Sequence, residues 1–269
     1  HIVYSCSSTV DTKKGPEKTT GLGVEVDVND KQVVIKRLNE DGTLNEARGY
    51  RIYDRERKLM IYDLAKTEQY IIEKADTVVR RSVITKPTNN TAEINGYACK
   101  AYEANAGGYT YKVWVTEEIL TDESINDQIV PAFTLNKVTF SFKGTLVKVE
   151  MSYSIGKQSG ASVYALTKAN YTEEANKVHP MPWTRKGAKA LLPTVVETNG
   201  TTNTYSYSAF SYTSETPQKL HARLRALLTE VTGIEKPKFS ETHLVCCRNV
   251  SVNVSYCPNN CCCSQRISS

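Results

Sequence analysis

The chain predicts a mainly β fold: one long, mostly antiparallel sheet carrying one or two helices, followed by a cysteine-rich C-terminal extension. Three observations point there. Tyr (16) outnumbers Phe (5), and Thr, Ser, Val and Asn are abundant, a composition suited to strands with one wet face. Apolar and polar residues alternate, with turn signals about every ten residues, the spacing of an antiparallel meander. Only residues 217–232 show clear helical periodicity, with Leu220, Leu224, Leu227, Leu228 and Val231 on one face.

The elements follow in order. Residues 1–8 (HIVYSCSS) open as a short strand. In 19–30 (TTGLGVEVDVND), Leu22, Val24, Val26 and Val28 share a face, with Glu25 and Asp27 opposite. Asn29-Asp30 supplies a turn and 31–39 (KQVVIKRLN) the hairpin partner. After a turn at Asp41-Gly42, residues 50–74 read as strand, turn, strand, turn, strand. Beyond Pro87 and a turn at 88–91 (TNNT), 93–104 (EINGYACKAYEA) and 108–119 (GYTYKVWVTEEI) form a further pair. Residues 121–130 break the alternation; Thr121 caps and acids fill the first turn, the pattern of a short helix. Strands resume at 137–144, 146–156 and 159–171. Leu22, Val24, Val34, Ile52, Met60, Ile72, Val113, Val115, Phe140, Phe142, Val147 and Val149 are expected to point inward.

Two prolines in 179–187 (HPMPWTRKG) close this body, placed at 1–185. The C-terminal segment, 186–269, holds a Tyr/Ser strand at 203–214 and the helix at 217–232. Thr216 caps that helix, Pro217 fits its first position and Gly233 its C-terminal stop, and its apolar face is expected to pack on the sheet.

Composition narrows the function. A chain of 269 residues is long enough for a real core without disulfides. The net charge is +5, but the basic residues are scattered among acids, as in 51–58 (RIYDRERK), which reads as solvated surface rather than a nucleic-acid patch. No run approaches the ~18 apolar residues of a membrane helix. A start at His1 reads as a form matured by signal cleavage or otherwise trimmed. Five Asn-x-Ser/Thr tripeptides, at Asn89, Asn170, Asn199, Asn249 and Asn253, match the glycosylation pattern, which arises often by chance in such a chain.

Catalytic signatures are thin. His1, His179, His221 and His243 have no metal-type spacing. Ser154-Ile155-Gly156-Lys157 matches Ser-x-x-Lys without its companion motifs. Gly21-Leu22-Gly23 lacks the third glycine of a dinucleotide loop. Glu117 and Glu118 are adjacent in a strand and face opposite ways. Neither catalytic residues nor a cofactor are expected.

One span carries a family resemblance. In 91–119, an Ile-x-Gly-Tyr-x-Cys-x-x-Tyr strand is followed by one ending in Val-Trp-Val-Thr. This resembles the DUF4412 and GLPGLI families, exported proteins of Bacteroidota type similar to the LolA/LppX half-barrel. The runs VNDKQVVIKRL, YRIYDRERKLMIYDLAKTEQY and YALTKANYTEEANKVHPMPW fit the same order, so the resemblance covers about residues 1–185. It implies a sheet curled around one or two helices, no catalytic residue or metal, and a concave face that holds acyl chains. Val24, Met60, Val113, Val115, Phe140, Phe142 and Val149 are then the candidates for lining an apolar cavity.

Six of the eight cysteines, Cys246, Cys247, Cys257, Cys261, Cys262 and Cys263, fall in the last 24 residues. Cys257 and Cys261 have zinc-type spacing, but Cys246-Cys247 makes a poor second knuckle. A redox centre lacks its Cys-x-x-Cys. The export implied by the resemblance favours disulfides, with Cys6 and Cys99 as the remaining candidates if their strands are neighbours. Two functional expectations result. The first is a non-enzymatic envelope or surface protein, in the periplasm, at the outer-membrane surface or outside the cell, binding a hydrophobic ligand. The second is a structural subunit that docks or self-assembles through its sheet edge and braced tail.

Overall fold

The computed structural model describes residues 1–19, 23–75, 81–83, 85–106, 108–119, 126, 138–191, 194–199, 202–206, 211–213, 217–235 and 239–240. The strands are β1 (Ile2–Thr12), β2 (Gly15–Thr19), β3 (Gly23–Val28), β4 (Gln32–Leu38), β5 (Tyr50–Asp54), β6 (Leu59–Leu64), β7 (Gln69–Lys74), β8 (Arg81–Val83), β9 (Lys86–Ile94) and β10 (Tyr97–Ala106). They continue as β11 (Tyr109–Thr116), β12 (Val138–Phe140), β13 (Thr145–Ile155), β14 (Gln158–Ala169), β15 (Lys189–Leu191), β16 (Thr194–Asn199), β17 (Thr202–Ser206), β18 (Ser211–Thr213) and β19 (Phe239–Ser240). A single long helix, α1 (Pro217–Thr232), lies among the described residues.

Fourteen strands form one open sheet, ordered β19–β15–β7–β6–β5–β4–β3–β1–β14–β13–β11–β10–β9, with β2 paired to β1. The pairing is antiparallel except where β15 runs parallel to β7 and β19. β8 and β12 make a separate parallel pair, and β16, β17 and β18 a three-stranded sheet. The large sheet curls. Asn95, in the β9–β10 turn, donates its side-chain amide to the Leu166 carbonyl on β14. In a flat sheet three strand spacings, roughly 14 Å, would separate β10 from β14, beyond the reach of an asparagine.

Alternation decides the faces. Tyr4 on β1, Val24 and Val26 on β3, Val33 and Ile35 on β4, Tyr111, Val113 and Val115 on β11 and Val149 and Met151 on β13 share the inner face and form one core cluster. Aromatic rings fill it: Tyr111 meets Phe140 edge-on at 5.0 Å, and the Tyr4 hydroxyl donates to the Leu146 carbonyl at 2.9 Å. A second cluster, with Val34, Ile52, Leu59, Ile61, Tyr70 and Ile72, covers the other face of β4–β7 only. There α1 seats Leu227 and Leu228 as its periodicity predicts, and Gly233 takes a φ of +69° at the helix end. The residues expected inward are buried wherever described, apart from the half-buried Phe142; Leu22 lies outside the described residues. They divide between two faces rather than lining one.

Four local readings are corrected. Residues 88–91 are not a turn but the middle of β9. The span 93–104 is not one strand: Asn95 and Gly96, at φ +53° and +81°, form a tight turn between β9 and β10. The strand read at 137–144 shrinks to β12, which leaves the main sheet to pair with β8. The strand read at 203–214 is divided into β17 and β18. The helix read at 121–130 lies outside the described residues except for Asn126, which is helical. Beyond residue 185, β15 and β19 extend the same large sheet.

Candidate functional site

The densest set of polar side chains lies on the second face of β3–β7. Register places Val3, Glu25, Lys36, Tyr50, Asp63, Tyr70 and Ala190 in one directly paired row across β1, β3, β4, β5, β6, β7 and β15. The neighbouring row, Asp27, Val34, Ile52, Ile61 and Ile72, is mostly apolar. Strand period alone therefore sets a line of charge beside a line of hydrocarbon.

Residues 170–188 cross this face, leaving the end of β14 and arriving at β15 on the far side of β7. Five sets of contacts stitch this strap down. Asn29 Nδ2 donates to the carbonyls of Ala175 and Lys177 at 3.2 and 3.3 Å. Gln32 Oε1 accepts the His179 N–H at 2.8 Å while its Nε2 donates to the His179 carbonyl at 3.1 Å. The His179 ring lies on Tyr50, with centroids 4.8 Å apart. Arg185 donates both terminal nitrogens to Asp63, at 2.5 and 2.6 Å, while Trp183 approaches Tyr70 at 6.1 Å.

Asp63 is fully buried, so Arg185 supplies the counter-charge that makes its ionised form tolerable there. The same bonds push the Arg185 guanidinium further above its ordinary pKa. Gly49 makes room for this arrangement: at φ +65°, a Cβ would sit 2.1 Å from the Asp63 carbonyl oxygen. Burial lowers the His179 pKa below its ordinary value, an effect that nearby Asp63 opposes. Burial raises that of the Tyr70 hydroxyl to about 12. A similar pair anchors the helix: Arg223 donates through both terminal nitrogens to the fully buried Glu73.

At the other end of the row His1, Glu25 and Asp27 bring potential ligand atoms within 4.8 Å of one another. Lys36 already fills that space. Its Nζ lies 2.7 Å from Glu25 and 2.6 Å from Asp27, and His1 Nδ1 lies 2.7 Å from Asp27. Burial alone would lower the Lys36 pKa, but the hydrogen bonds to Asp27 and Glu25 more than offset it and raise the pKa above its ordinary value. The two carboxylates are already bridged by an ammonium, and the donor set does not fit a metal.

The residues singled out from sequence fall elsewhere. Val24, Val113, Val115, Phe140 and Val149 are in the inner core, Phe142 packs against it, and Met60 is buried on β6. None lines the cavities of about 420 and 450 Å³ found among the described residues. Cys6 and Cys99 are free thiols. Their strands are not neighbours, since β14, β13 and β11 lie between β1 and β10, which corrects the expectation of a bond between them. Burial also raises the Cys99 pKa. Cys246, Cys247, Cys257, Cys261, Cys262 and Cys263 lie outside the described residues. Ser154 lies near the end of β13 and Lys157 in the hairpin turn between β13 and β14, and Glu117 reaches Lys100 while Glu118 accepts the Ala98 N–H.

Sequence reasoning missed Gln32, Asp54, Asp63, Glu73, Arg185 and Arg223. Asp54, read as solvated within 51–58, is buried and paired to Arg57 at 2.9 Å. The available signal was an acid in each of three successive apolar strands: YRIYD, LMIYDL and QYIIEK.

Comparison with known proteins places no family here. No family model matches the chain, and no curated protein matches it. Among solved structures, that of PNGF-II in space group C2 aligns with a TM-score of 0.36 and 12% identity, over 71% of this chain and 30% of that one. PNGF-II in space group P21 aligns with a TM-score of 0.31 and 11% identity, over 65% and 30%. The chain thus spans about 30% of the length of these structures. Likeness this weak bears on neither fold nor activity.

Proposed function

We propose that the protein is a non-enzymatic, exported envelope or surface subunit, a LolA/LppX-like half-barrel that acts as a scaffold for partner chains rather than as an acyl carrier. The carrying observation is the inner face, which among the described residues is packed with side chains. Tyr4, Tyr111, Phe140 and Met151 occupy the concavity where a carrier needs empty volume. The carboxylates of Asp54, Asp63 and Glu73 are held by arginines, which suits locked structure better than proton transfer.

The docking element is the sheet edge at β9. Among the described residues β9 pairs with β10 alone, and Lys86, Pro87, Asn89, Asn90, Thr91 and Glu93 are exposed. An unpaired edge is a template for a partner's strand, and lysine added there discourages pairing. Native mass spectrometry of the protein isolated from its source, as wild type and as the Asn89→Lys/Thr91→Lys variant, tests this. A co-purifying protein chain that is lost in the variant is expected. No partner chain with either form, or one retained by the variant, would overturn this reading, whether or not a lipid is bound.

A further inference from the structure

The cavity of about 450 Å³ lies where α1 meets the β5–β6 turn and the end of β7, outside the half-barrel and away from the strap. Its floor is hydrocarbon: Leu59 and Leu227 are buried members of the second core, and the half-buried Val231 packs against them. Its mouth is cationic. Arg57, Lys58 and Lys74 line it against one acid, Glu230. Arg57 commits Nη1 to Asp54, one of the five N–H donors of a guanidinium.

The walls are fixed before any ligand arrives. Lys58 is held at φ +51° in its turn, and the Ala75 N–H donates to the Lys58 carbonyl at 2.8 Å, tying that turn to the end of β7. The pair between Arg223 and buried Glu73 fixes α1 against the same strand. A cavity of this size with an apolar floor and a few convergent charges fits a small ligand.

We propose that this cavity binds an amphipathic carboxylate, a medium-chain fatty acid in chemical terms, with its chain on Leu59, Leu227 and Val231 and its head at Arg57, Lys58 and Lys74. A wholly apolar ligand would desolvate the cations at the mouth and give them no new partner. A cationic amphiphile would meet three positive side chains. A bare anion would leave the apolar floor unused. A carboxylate on a hydrocarbon chain satisfies both parts, and guanidinium–carboxylate bonds are among the stronger hydrogen bonds.

Titration of the full chain with decanoate below its micelle concentration, followed by calorimetry, tests the site; acetate and decyltrimethylammonium are the comparison ligands. Saturable binding of one decanoate is expected, with neither comparison ligand matching it. Lys58→Glu/Lys74→Glu, both exposed positions, weakens binding at least tenfold with an unchanged circular dichroism spectrum. Val231→Trp, which fills the cavity from a half-buried position on its floor, abolishes it. Equal binding of decyltrimethylammonium, indifference to both variants, or no saturable binding would overturn the proposal. The scaffold reading is tested at β9 and stands or falls separately.

Discussion

The two halves of the sheet use charge in opposite ways. Across β9, β10, β11, β13, β14 and β1 the second face is open to water. There Lys86, Glu103, Lys112, Glu150, Val163 and Ser7 form one paired row, with charges alternating in sign. Across β3–β7 the same face is covered, and Asp63 is buried there against Arg185 of the strap, while Asp54 keeps a local partner in Arg57; Glu73, turned by strand period to the opposite face of β7 from Tyr70 and Ile72, is buried against Arg223 of the helix. An exposed ladder biases strand register with little energy per pair. A buried acid leaves one acceptable outcome, the arrival of its arginine. The open half is therefore specified by neighbours in the sheet, and the covered half by residues more than a hundred positions away.

The largest expected effect tests the covered half. Arg185→Ala leaves the Asp63 carboxyl without its partner in a fully buried place, and the expected loss is about 3–5 kcal/mol in the urea unfolding free energy. Asp63→Ala is milder, because the Arg185 side chain is already 36% exposed and turns to solvent. The double variant recovers part of the Arg185→Ala loss. If the two single variants lose equally and additively, the pair is not a coupled latch. Gly49→Ala comes next. It forces a Cβ against the Asp63 carbonyl at positive φ, so it destabilises by more than about 1 kcal/mol, read as a lower urea midpoint with an unchanged slope.

Proton linkage gives a smaller effect. Burial lowers the His179 pKa below its ordinary 6.5, so the unfolded chain binds the extra proton first. The neutral ring's contribution is full above about 6.5 and is lost as pH falls from there through the folded value. His179→Phe keeps the ring on Tyr50 and removes the titration. Stability measured from pH 7.5 to 5 is therefore expected to fall less steeply in the variant. Identical slopes would show that His179 does not titrate differently in the folded chain.

What was legible follows the same division. The open half alternates cleanly: β13 and β14 appear in the sequence nearly where they lie, because one wet face imprints period two. The covered half breaks that imprint. β4, β6 and β7 carry runs of buried residues on both faces, so apolar periodicity locates the strands but does not assign faces. Asp63 and Arg185 give no local sign of each other, since their contact depends on a strap crossing the sheet. Asn95-Gly96 carries a turn signal, but the apolar residues around it favour a single strand. The cavity at Leu59 and Leu227 joins a hairpin turn to a helix about 170 residues later, a meeting that no local pattern encodes.

The smallest effect belongs to the ladder and separates the two halves most cleanly. Glu103 is exposed between Lys86 and Lys112. Glu103→Lys sets three cations in a row, with an expected loss of up to about 1 kcal/mol at low salt. At 1 M salt the Debye length is about 3 Å, so this loss fades. Glu103→Lys combined with Lys112→Glu restores opposite charge within the exchanged pair, but it leaves a cation beside Lys86, sets an anion beside Glu150 and takes the Lys112 ammonium from above the Trp114 ring, where it lies 4.7 Å from the centroid. No rescue by the swap is therefore expected. The Arg185→Ala loss, arising from a buried unpaired carboxylate, persists in the same 1 M salt because ions do not reach it. Urea unfolding of the Glu103 and Arg185 variants at both salt concentrations decides the matter: matching salt responses would mean that the two halves do not differ in how they use charge.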